Sequence, residues 1–255
     1  MLVPIAHSLP FQIDDLRIVS GPNNYGTPPF PNATKTAALT IPSSGPLGYI
    51  RAYEGHVDSS AVYLIGGPKL DVNICRPSQR QPVNTAKFPR LSAAPGDFVM
   101  GTYLENGHIS LQPSASSTSG TTYWYATTQP KPDETLSNVR NWTTDGRGGD
   151  ARGRLLAQAP FDDGTCVEPN STPIAAQRKA SGGGGACKSV FKVPETAVPG
   201  TVLTVYWVWD FSNHFGPEKV GHVEWYTSCM DIQVVKGKGR PKRGLGASAK
   251  FRGRV

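Results

Sequence analysis

Residues 200–212, GTVLTVYWVWDFS, and 222–235, HVEWYTSCMDIQVV, are the stretches that decide the fold of this 255-residue chain. Both are dense in β-branched and aromatic residues, which suit a pleated, half-buried surface. Weaker stretches of the same kind lie upstream: QIDDLRIVS (12–20), LGYIRAYEG (47–55) and TTYWYATT (121–128). AVYLI (61–65) reads as a buried strand. GDFVMGTYLENG (96–107) reads as a strand that stops at an Asn-Gly turn. Between them lie Gly- and Pro-rich connections, and residues 130–190, with TTDGRGGDARGR and SGGGGA, read as loop. The chain holds 28 Gly and 23 Pro and shows no repeat, heptad or long helical period. The expected fold is all-β, an immunoglobulin- or fibronectin III-like β-sandwich with long Gly/Pro-rich loops.

Charge separates the tail from the body. The net charge is +7, yet residues 236–255, KGKGRPKRGLGASAKFRGRV, hold eight basic residues and no acid. Without those eight, 18 basic residues face 19 acidic ones. Such a tail has too few apolar groups to offset ordering entropy and is expected to be disordered. It suits nucleic acid, acidic wall polymers or mere solubilisation. Nucleic acid ranks last, because Phe251 is the only aromatic residue available there for stacking.

Export is the expected route. Leu2, Val3, Pro4, Ile5 and a small Ala6 stand directly before His7, as at the end of a signal peptide. Residues 1–6 are therefore read as a signal-peptide remnant, 7–235 as the folded domain and 236–255 as the basic tail. Asn32-Ala-Thr, Asn141-Trp-Thr and Asn170-Ser-Thr are N-glycosylation sequons. Cys75, Cys166, Cys187 and Cys229 contain no CxxC pair, which favours two disulfides over zinc, with three connectivities open. No apolar run approaches the ~20 residues of a membrane span, so a soluble mature chain is expected, and it is taken as a monomer.

Familiar catalytic signatures are missing: there is no phosphate cradle and no G-x-S-x-G elbow. Asp14/Asp15 and Asp162/Asp163 are adjacent pairs whose side chains diverge on a strand, which argues against a glycosidase dyad. The histidines are His7, His56, His108, His214 and His222. His214 and His56 fall in loops and His222 precedes the last strand, whereas His108 lies just past a turn, where an imidazole can face outward. Cleavage after Ala6 would give His7 a free amine beside its imidazole, and these chelate a metal together. A second imidazole completes a planar three-nitrogen set, which favours copper. Glu224 and Tyr226 share one face of the last strand, with Trp225 expected to point the other way, into the sandwich.

These features resemble the lytic polysaccharide monooxygenases. More closely, APGDFVMGTYLENGHISL (94–111), TTDGRGGDARGRLLA (143–157), DDGTC (162–166), TVYWVWDF (204–211) and EWYTSCMDI (224–232) are similar to a poorly characterised family of secreted fungal proteins. Mature chains of that family start His-Ser-Trp; this one has His7-Ser8-Leu9. The resemblance spans residues 7–235 and implies a secreted sandwich with a surface histidine brace. It implies His7 and His108 as copper ligands, Tyr226 as the axial residue and Glu224 as the group that positions oxygen. It also implies a Cys75–Cys229 bridge, leaving Cys166–Cys187. The implied activity is copper-dependent oxidation of cellulose, chitin or a hemicellulose, fed by an electron donor. The alternative is a copper-binding or wall-associated protein with the same brace and no catalysis.

Overall fold

In a computed structural model, residues 13–19, 47–55, 63–111, 119–212 and 223–237 are described, the first of these as backbone. Their strands are β1 (Ile13–Val19), β2 (Leu47–Gly48), β3 (Tyr63–Gly66), β4 (Leu91–Ala93), β5 (Phe98–Tyr103), β6 (Thr121–Thr127), β7 (Gly153–Pro160), β8 (Cys187–Lys192), β9 (Val202–Asp210) and β10 (Glu224–Val234). Two helices join them, α1 (Leu136–Val139) and α2 (Pro173–Ala180). One sheet runs β2-β1-β5-β8 and the other β3-β10-β9-β6-β7. All of these pairs are antiparallel. β4 adds parallel to the far half of β10, with Ile232 opposite Leu91. The expected β-sandwich is what forms.

The core between the sheets is aromatic. Leu203, Val205, Trp207 and Trp209 of β9 meet Tyr226, Met230, Ile232 and Val234 of β10 on the inner face. From the second sheet and its neighbours come Val99, Tyr103 and Phe191. Trp124 packs on Phe191 at 4.7 Å and donates to Ser189 Oγ at 2.9 Å, so its one polar atom is satisfied in the core.

The opposite face of the larger sheet is also buried. Ile65, Tyr125, Tyr206, Val208, Trp225 and Cys229 lie there under Leu136, Val139 and Trp142. The Thr135 hydroxyl caps α1 by accepting from Asn138 N at 3.3 Å, which sets Leu136 and Val139 down on this face. The Arg140 guanidinium covers Trp225 at 4.1 Å. The Cys75–Cys229 disulfide clips the layer to β10. Trp225 therefore does not enter the sandwich: Tyr226 does, and Trp225 packs beneath the outer layer. With both faces covered, β9 and β10 bury almost every residue.

Two further expectations are corrected. Residues 130–190 are not loop alone, since they contain α1, β7, α2 and β8. β3 is an edge strand whose burial alternates, with Leu64 53% exposed, rather than a buried one. The second disulfide is Cys166–Cys187. Among the described residues no helix is long and apolar enough to cross a membrane. His7, His56, His214, His222 and residues 238–255 of the basic tail lie outside the described residues.

Candidate metal centre

The chain leaves β5 at Tyr103 and turns at Glu105–His108. Asn106 and Gly107 take φ of 42° and 77°, and His108 N donates to Glu105 O at 2.9 Å. Two consecutive positive φ values are what Asn-Gly accommodates best. A Cβ on Gly107 would stand 2.9 Å from Leu111 Cδ1. The turn drops His108 onto the ends of β9 and β10, where Tyr226 is opposite Trp209 in register.

His108 is half-buried, not outward-facing. Its ring stands edge-on to Phe211 at 4.4 Å, to Trp209 at 5.1 Å and to Tyr226 at 6.5 Å. Trp209 is itself fixed between Phe161 at 3.9 Å and Tyr226 at 4.9 Å, and its Nε1 donates to Ser119 O at 2.8 Å. Burial against these rings pulls the His108 pKa down to about 4, although the Glu224 charge pulls the other way. At neutral pH the imidazole is uncharged, with a lone pair to offer a metal.

Glu224 and Tyr226 share a face of β10, as their spacing requires. The Tyr226 hydroxyl donates to Glu224 Oε1 at 2.5 Å. Burial pushes the Tyr226 phenol far above its ordinary range, and the Glu224 bond and charge push it further. Phe211 N donates to Glu224 O at 2.9 Å and Glu224 N to Ser212 Oγ at 3.1 Å, closing this end of the strand pair. Glu224 and Tyr226 are 8% and 6% exposed. The tertiary fold thus brings His108, Glu224 and Tyr226 together. The neutral imidazole is a ligand type that suits copper among other transition metals, and a phenol and a carboxylate stand beside it.

Residue spacing did not single out Glu105. Its carboxylate is fully buried behind His108, where Oε2 accepts from Ile109 N at 2.8 Å and Ser110 N at 2.7 Å. Oε1 accepts from the Ser110 hydroxyl and from Glu168 N at 3.2 Å. Asn170, read in the sequence as a glycan acceptor, donates to Ser110 Oγ at 2.7 Å. The signal available was the place of Glu105 directly before Asn-Gly, within the Glu-Asn-Gly-His that the resemblance carries. Asp162, Asp163 and Cys166 also gather closely, but Cys166 is in a disulfide and Asp162 pairs with Arg178 at 2.6 Å. Asp163 accepts from the N–H groups of Thr165, Cys166 and Lys188, as a loop organiser does.

The chain belongs to the family described as Domain of unknown function (DUF7492), whose model matches residues 44–251. No curated protein matches it in sequence. Among solved structures it is similar to CvAA9A, at 15% identity over 76% of this chain and 78% of that one, with a TM-score of 0.35. A polysaccharide monooxygenase CBM33 follows at 12% identity, covering 66% and 78%, with a TM-score of 0.34. A cellulose-active polysaccharide monooxygenase from M. thermophila is 19% identical over 68% and 67%, with a TM-score of 0.31. At such scores the sandwich assignment stands on the sheet pairing itself.

Proposed function

We propose that this chain is a secreted, copper-dependent oxidase of polysaccharides, similar to the lytic polysaccharide monooxygenases. In this reading the mature chain starts at His7, residues 7–235 form the copper domain and residues 236–255 a basic tail. The amine and imidazole of His7 and the imidazole of His108 would hold copper, with Tyr226 beside the site. The observation that carries the reading is the meeting of His108 with the Glu224–Tyr226 pair, brought from distant parts of the chain to one end of the sandwich. Two disulfides fit an exported protein.

Bound copper supplies electron transfer between an external reductant and dioxygen or hydrogen peroxide. The chain's own residues do the rest. His108 offers a neutral nitrogen held still by Phe211 and Trp209. Tyr226 stays protonated and keeps its proton on the Glu224 side. Glu224 is the group placed to hydrogen-bond the oxidant, and the surface around His108 lies against the glycan. The burial of Glu224 and Tyr226 favours a second reading, a copper-binding or wall-associated protein without catalysis.

One experiment separates the two. Protein matured to His7 and loaded with copper is incubated with ascorbate and cellulose, chitin or xylan, and products are read by mass spectrometry. Oxidised oligosaccharides, lost in His7→Ala and His108→Ala and slowed in Glu224→Gln, support the oxidase. Tight, stoichiometric copper with no oxidised glycan supports the binding protein. Copper uptake that survives His108→Ala, or needs His214 equally, overturns both.

A further inference from the structure

The Asn-Gly turn does not need Glu105. Its two positive-φ residues and the His108 N to Glu105 O bond complete it with backbone alone. Yet the Glu105 carboxylate is fully buried, and burying a carboxylate is costly unless its oxygens are answered. They are answered by the chain on one side of His108: Ile109 N, Ser110 N and the Ser110 hydroxyl. The other side is held by Glu168, whose Oε2 accepts from Asn106 N at 2.5 Å. Glu168 N donates back to Glu105, and Asn170 Nδ2 donates to Ser110 Oγ and to Glu168 O at 3.0 Å. The segment carrying Glu168 and Asn170 is pinned by Cys166–Cys187 to β8, which pairs with β5. The turn before His108 and the chain after it are therefore both bonded to one frame.

We propose that Glu105, braced by Glu168 and Asn170, is a positioning residue that fixes where the His108 imidazole stands. Its metal-binding consequence rests on the reading of His108 as a copper ligand; its structural consequence does not. Groups hydrogen-bonded directly to a metal ligand typically govern affinity by about 10–100-fold, which sets the upper scale for Glu105, acting through the backbone beside His108.

The test uses the full chain matured to His7 and produced without glycans, so that Asn170 can be varied cleanly. Glu105→Gln and Asn170→Ala are compared with wild type and with Glu134→Gln, which breaks an ion pair under the outer layer. Without copper, long-range proton–nitrogen NMR reads the His108 ring and amide exchange reads Ile109 and Ser110. With Cu(II) alone, titration gives affinity and electron paramagnetic resonance gives the ligand field. Glu105→Gln is expected to displace or broaden the His108 ring signals and speed exchange of both amides about tenfold or more. It is also expected to weaken Cu(II) by up to about 100-fold with an altered spectrum. Asn170→Ala should do the same to a smaller extent, and Glu134→Gln should lose stability with His108 signals unchanged. If Glu105→Gln does not fold, Asn170→Ala decides. The proposal is overturned if the His108 signals of the folded variants match wild type, or if Glu134→Gln moves them equally. Wild type that takes up no Cu(II) sinks the copper reading, while the ring signals still decide the clamp.

Discussion

Glu134 and Asp231, under the outer layer, each face an arginine, whereas Glu105, behind His108, faces only N–H and O–H donors. Arg152 reaches Glu134 at 2.6 Å and Asp150 at 2.6 Å, and Asp150 also accepts from Trp142 Nε1 at 2.9 Å. Burial opposes ionisation of Asp150, but its bonds from Trp142, Arg152 and Asn138 outweigh that and hold its pKa at about 2. Arg51 reaches Asp231 at 2.6 Å and donates to Gln79 O and Thr204 Oγ1. At the His108 end, among the described residues, no lysine or arginine bonds to Glu105 or Glu168. The difference is one of purpose. Ion pairs cancel charge and seal a layer onto a sheet. Carboxylates answered by neutral N–H and O–H donors instead tie the backbone on either side of His108 to one frame.

The comparison breaks most visibly at Asp231. Asp231→Ala strands a buried guanidinium and is expected to cost about 3–5 kcal/mol in denaturant unfolding, since removing one member of a buried pair leaves the other uncompensated. A loss near zero would mean that these pairs do not seal the layer.

The next largest effect belongs to the His108 end and is read through pH. The folded-state pKa of His108 is about 4 against an ordinary 6.5. Copper-free protein keeps this contribution above pH 6.5 and loses it as pH falls towards 4, because the unfolded chain takes the proton first. The expected difference is about 3 kcal/mol. Unfolding curves of wild type and His108→Gln should diverge in that window, and parallel curves would show the ring to be wetter than its aromatic neighbours imply.

Smaller still is Gly107→Ala, expected to cost about 1–2 kcal/mol for the left-handed backbone it forces on a Cβ. Measured with Cu(II) titration, it tells whether the turn alone or the Glu105 frame governs His108. Stability lost with affinity kept would favour the frame. The smallest change is Leu64→Lys on the exposed edge strand, expected to stay within about 0.5 kcal/mol in thermal unfolding. Leu64 pairs with Tyr226 and shares its face, so the variant marks where the sandwich core ends at the sheet edge.

The sequence by itself determined the strands β5, β6, β9 and β10, the Asn-Gly turn before His108, and the shared face of Glu224 and Tyr226. Those features are local: residue type, turn chemistry and a two-residue period are written in neighbouring positions. It did not determine which face of β10 enters the sandwich. Both faces carry aromatics, because α1, Trp142 and Arg140 cover the outer one, and the period that would mark inside from outside is gone. Nor did Gly- and Asp-rich spacing reveal β7 and β8, which owe their place to partners far along the chain. Tertiary structure alone decided that His108 stands against Phe211 and Trp209, and that Glu105 meets Glu168 and, through Ser110, Asn170. Each of those contacts joins positions whose approach depends on the stacking of two sheets, and no local pattern encodes that distance.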